Sequence, residues 1–92
     1  MQKTVSKEQA FWFCNRHGWI GQIAHNLDEF VNQIKVVPAE SLEFHLRDDK
    51  NDFEAWLKNV MQEKRLAKGI EKIKKQSLRG EELRKALIGL FE

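Results

Sequence analysis

Apolar residues recur along this chain with two different periods, and the switch between them divides it into elements. In "FWFCN", Phe11 and Phe13 flank Trp12 at a period of two, the spacing of a strand with two faces. "NRHG" follows as a turn, with Gly18 where a positive φ is tolerated. Trp19, Ile20 and Ile23 form a returning strand, which Gly21 weakens or marks with a bulge. This stretch predicts a short β-hairpin.

From Asn26 onward the period becomes helical. Leu27, Phe30, Val31 and Ile34 share one helix face, and Asn26 with Glu29 makes a capping box at its start. Pro38 ends that helix and can open the next at its first position. "PAESLEFHL" fits both periods; Pro38 followed by Glu40 favours the helix, which we adopt. Phe53, Trp56, Leu57 and Val60 predict a helix over 52–61, capped by Asn51 and Glu54, with Asp52 in its first turn. Leu66, Ile70 and Ile73 form a stripe opposite Lys64, Lys68, Lys72 and Lys75. "SLRG" breaks the pattern, and Leu83, Ala86, Leu87 and Leu90 resume it. The expected fold is mainly α: a short N-terminal hairpin followed by about five helices around one small core. An all-helical bundle is the alternative.

Ninety-two residues fit one domain, with residues 1–8 expected to be a flexible lead-in. Such a domain holds a small core and has little room for a deep substrate pocket. No apolar run is long enough to cross a bilayer. With Cys14 the only cysteine, no internal disulfide forms, so the expected setting is the reducing cytoplasm. The net charge of +2 hides an asymmetry. Residues 1–63 carry 7 Lys/Arg and 10 Asp/Glu, a net of −3; residues 64–92 carry 9 and 4, a net of +5.

Four segments carry a likeness: "FWFCNRHGWIGQIAHNLDEF", "VVPAESLEFHL", "NDFEAWL", and "LAKGIEKI" with "GEELRKAL". Over about Phe11 to Leu87 the chain resembles a family of small uncharacterised prokaryotic domains, many of them archaeal, known only as a domain of unknown function. The resemblance implies a defined compact fold and brings no activity, cofactor or site residue with it. Relatives usually carry Gly-Asp where this chain has Gln62 and Glu63. Losing that helix-breaking pair implies a less interrupted run from Met61 to Leu66.

The densest chemistry lies in "FHLRDDKNDFEAWL", residues 44–57. His45 with Asp48, Asp49 and Asp52 has the composition of an acid–base or metal cluster. It also has the composition of a solvated corner between helices, where Asn and Asp turn the chain and cap the next helix. It lacks the alternating acids, central glycine and distal glutamate of a calcium loop. We read it as a corner, with His45 partly buried against a carboxylate or a backbone group. Cys14, His17, His25 and His45 offer only one ligand-like spacing, Cys14-x-x-His17, where a structural zinc site usually shows two. No metal or other cofactor is expected. Cys14, mid-strand among aromatics, reads as a small hydrophobe rather than a nucleophile.

Two surfaces are left to carry function. A two-stranded hairpin packs only one face on its helices, so Trp12 or Trp19 is expected to meet a partner. The basic run of Lys64, Arg65, Lys68, Lys72, Lys74, Lys75, Arg79, Arg84 and Lys85 has the charge to neutralise phosphates. It lacks an accompanying recognition-helix or stacking motif. The expected function is a non-enzymatic protein-interaction or regulatory module, acting on a protein partner or on a second copy of itself. Nucleic-acid binding through the 64–85 face, led by Lys64, Lys68, Lys72 and Lys75, is the alternative.

Overall fold

The computed structural model describes residues 3–92. Strands β1 (Phe11–Asn15) and β2 (Gly18–Ala24) pair antiparallel across the Arg16-His17 turn. Asn15 Oδ1 accepts the His17 N–H at 2.8 Å, and Gly18 takes φ 116° to bring the chain back. Phe11, Trp12 and Phe13 lie opposite Ala24, Ile23 and Gln22; the register then jumps, so that Cys14 faces Trp19. Ile20 and Gly21 are the residues left over. Gly21, at φ 90°, makes the bulge that its place in the sequence announced.

Five helices follow: α1 (Leu27–Val36), α2 (Ala39–Phe44), α3 (Asp52–Asn59), α4 (Lys64–Lys75) and α5 (Gly80–Leu90). Asn26 Oδ1 accepts the Glu29 N–H at 2.9 Å, and Asn51 Oδ1 accepts the Glu54 N–H at 3.1 Å, so both predicted caps form. The return arm of the first cap reaches one residue further back: Glu29 Oε1 accepts the N–H of His25 at 2.8 Å. Pro38 is the N-cap of α2 rather than its first helical residue.

The inner face of the hairpin packs on α1 and α2, while α4 packs on α3 and α5. Phe11, Phe13, Phe30, Phe53 and Trp56 meet at the centre, with neighbouring ring centroids 4.8 to 6.3 Å apart and many edge-to-face. Leu42, Ile70 and Leu87 close the core from the other helices. Arg84 fastens two of them. Its Nη1 donates to the carbonyls of Ile34 and Val37, both at 2.8 Å, satisfying the end of α1, while Glu81 holds the same guanidinium at 2.9 and 3.1 Å.

In the lead-in, Val5 is buried and donates its N–H to the His25 carbonyl at 2.9 Å, while Lys3, Thr4, Ser6, Lys7 and Glu8 are exposed. Met1 and Gln2 lie outside the described residues. One expectation changes: the chain breaks cleanly after α3, and no continuous run links Met61 to Leu66. Gln62 makes the break with φ 59°, a left-handed conformation that glycine would adopt without strain. Left-handed backbone costs a non-glycine residue about 1–2 kcal/mol. Gln62→Gly should therefore raise stability by roughly 0.5–1 kcal/mol, after the entropy that glycine loses on folding. A melting temperature higher by roughly 2–6 °C checks this, and a fall would overturn it.

Candidate functional site

The 44–57 corner resolves into a latch. Ser41 of α2 and His45, the residue that caps its end, both reach the backbone of Cys14. Ser41 Oγ donates to the Cys14 carbonyl at 2.8 Å, and the Cys14 N–H donates to His45 Nε2 at 2.9 Å. His45 Nδ1 lies 2.8 Å from Asp52 Oδ2, at the start of α3. Because Nε2 accepts a hydrogen bond from an amide N–H, it carries no proton, so the ring is neutral and donates Nδ1–H to the carboxylate. His45 is only 4 % exposed. That burial holds its pKa below the ordinary histidine range, outweighing the opposite pull of Asp52. Both ring nitrogens are thus committed to the fold, one to β1 and one to α3.

The other suspected ligands lie apart. His17 sits exposed in the hairpin turn, and His25 Nδ1 pairs with Glu29 at 2.9 Å. Cys14 is half-buried, and its thiol is pushed upward in pKa by burial and then by the charge of Asp52, the reverse of an activated nucleophile. Among the described residues, no group of three or more His, Cys, Asp or Glu is placed to hold a metal ion.

The basic run divides into separate parts. Lys64, Arg65, Lys68 and Lys72 line a shallow groove of about 410 Å³ along α4, floored at Gly69, where Leu90 of α5 packs. Lys75 is exposed and pairs with Glu71 at 3.4 Å. Lys74 is spent on the Lys50 carbonyl and Arg84 on α1, so neither belongs to that stripe. The first turn of α4 carries Lys64 and Arg65, has no acid, and receives no side-chain cap from Glu63. Cations at this end oppose the helix dipole.

The outer face of the hairpin carries both suspected partner residues. Trp12 and Trp19 pack against each other with centroids 4.9 Å apart. Their indole N–H groups already donate to the carbonyls of Lys7 and Gln22, each at 3.0 Å, so what the pair leaves uncovered is apolar surface. Trp19 is 51 % exposed. Ile23, opposite Trp12, shares this face, and Lys7 Nζ lies 5.6 Å from the Trp12 ring centroid.

A further feature was invisible in the sequence: a cleft of about 580 Å³ where the hairpin tip, the end of α2 and the α4–α5 turn converge. Leu46, Ile73, Leu78 and Leu83 give it apolar lining, and Arg16 and Arg79 stand among its polar residues.

These features describe a small, mainly helical domain with an N-terminal hairpin and a divided surface, one part aromatic and another basic. The chain belongs to a family of unknown function, DUF5752, whose model matches residues 1–92. Neither the curated proteins nor the solved structures gave a match from which a role could be carried over. Among the described residues no helix is long and apolar enough to cross a membrane.

Proposed function

We propose that this chain is a non-enzymatic interaction module that docks a protein partner on the outer face of its hairpin. One observation carries the reading: the exposed Trp19, packed on a half-buried Trp12 and beside Ile23, has its hydrogen-bonding needs already met. Packed tryptophans lose little conformational freedom on binding, and such rings are the usual anchors of interfaces. Lys7, beside the Trp12 ring, favours a partner that carries an acidic residue next to its apolar anchor. A second copy would set one Lys7 against the other across a symmetric pair, which makes it the weaker fit. The engagement of both His45 nitrogens favours binding over catalysis. With Cys14 having no partner for a disulfide, the cytoplasm is the setting that suits this role.

A photo-crosslinking residue placed at Trp19 in living cells should give one discrete adduct, weakened by Trp12→Ala and absent when the probe is moved to exposed Glu82. Identical adducts from both positions would remove the hairpin from the account. An adduct of two copies of this chain would make self-association the answer.

The α4 stripe supports a second reading. Its four groove-lining cations, two of them set against the helix dipole, offer a path for phosphates. Affinity for duplex DNA that falls steeply with salt, and is lost on Lys64→Glu, Lys68→Glu and Lys72→Glu together, would favour nucleic acid over a protein partner.

A further inference from the structure

We propose that the cleft between α2 and the α4–α5 turn binds a small organic anion with an aromatic or apolar body. Its volume, about 580 Å³, falls in the range of small-molecule sites. Four cations line it, Arg16, Arg47, Lys74 and Arg79, against the carboxylates Glu40, Glu43 and Asp48. Their commitments differ. Glu43 Oε2 accepts the Gly80 N–H at 2.8 Å, so its charge is met by the start of α5. Lys74 is held by the Lys50 carbonyl, and Arg47 stacks 3.7 Å from the Phe44 ring centroid while donating to the Phe44 carbonyl. The Arg79 guanidinium has no bonded partner among the described residues, and Arg16 spends only its Nε, on His17. Two guanidinium forks therefore stay available, the geometry that grips a carboxylate or phosphate with paired hydrogen bonds.

The rest of the cleft suits the body of such a ligand. Ile73 and Leu83 are buried core residues at its base, Leu46 and Leu78 are half-buried beside them, and the Phe44–Arg47 stack forms a flat wall. The backbone supplies an independent sign. Of the three non-glycine residues in left-handed conformation, two line this cleft: Asp48 at φ 50° and Ser77 at φ 55°. Each holds strain of order 1 kcal/mol or more, and retained strain of this kind clusters at binding sites.

The test titrates the full chain with 1-naphthyl phosphate, followed by amide chemical shifts. One-to-one binding is expected, with shifts centred on Phe44–Asp48 and Ser77–Gly80. Inorganic phosphate and uncharged 1-naphthalenemethanol should each bind at least about tenfold more weakly, as each lacks half of the recognition. Arg79→Ala and Arg16→Ala should each weaken the naphthyl phosphate about tenfold, while Lys35→Ala at the exposed end of α1 leaves it unchanged. Running 1-naphthoate in parallel distinguishes a carboxylate site from a phosphate site, and tighter binding by either anion supports the proposal. No saturable binding of either anion would overturn it. So would shifts centred on Trp19 or Lys68, equal binding of the uncharged probe, or indifference to both arginine substitutions. Each variant's amide spectrum reports whether it is folded, so loss of the site is not confused with loss of the domain.

Discussion

Replacing Trp56 with alanine should destabilise the protein by about 3–5 kcal/mol, the cost of truncating a large aromatic side chain in a packed core. Trp56 is only 6 % exposed. It stacks on Phe30 with centroids 5.1 Å apart and meets Phe11 edge-on at 5.8 Å. Its Nε1 also donates to the Gln9 carbonyl at 2.8 Å, so one side chain ties α3 to the segment that leads into β1. Trp56→Phe should cost less, since it keeps part of the ring packing and gives up the hydrogen bond. Urea denaturation measures both. An unchanged midpoint for Trp56→Ala would refute the placement of α3 at the centre of the core.

The second large effect belongs to His45. His45→Ala leaves the Cys14 N–H and the Asp52 carboxylate without their partner and opens a cavity among Phe11, Phe53 and Phe44, at a cost of about 2–4 kcal/mol. The native protein should also carry a characteristic pH dependence. Burial lowers the pKa of His45 in the folded state below its ordinary value, so between the two values the unfolded chain binds more protons. This contribution is full above about pH 6.5, the unperturbed histidine value. It is lost as the pH falls below that value toward the lowered folded-state pKa. Protonation would place an N–H on Nε2 facing the N–H of Cys14, which is why the neutral ring is the stable one. Denaturation midpoints measured between pH 5 and 7.5 should fall on the acid side in the native chain and flatten in His45→Ala. A native profile no steeper than the variant's would contradict the latch.

The helices and the hairpin were legible because their signals are local. Leu27, Phe30 and Ile34, or Phe53, Trp56 and Leu57, state their period within two turns, and Asn26 and Asn51 cap where such residues usually cap. His45 was legible too, since a histidine beside an apolar stripe and followed by aspartates has few ways to satisfy its ring. What escaped was non-local. Lys74 and Arg84 looked like part of one basic face, yet each donates to carbonyls 24 to 50 residues away, which no window of sequence reveals. The cleft takes Arg16, Phe44 and Arg79 from three distant segments. Gln62 carries no side-chain mark of a left-handed backbone, and glutamine between Met61 and Glu63 reads as a residue that continues a helix.

The grip of Ser41 and His45 on Cys14 bears on how this protein keeps to itself. A two-stranded ribbon has exposed edges, and an open edge can template pairing with a strand of another chain. On the α2 side of β1, the amide and carbonyl of Cys14 are both occupied by side chains of the same molecule. A foreign strand approaching there finds no free donor or acceptor at that residue, and α2 stands in its way. Losing His45 would therefore remove more than stability. It would uncover the Cys14 amide in the middle of an aromatic strand and leave a start point for edge-to-edge aggregation.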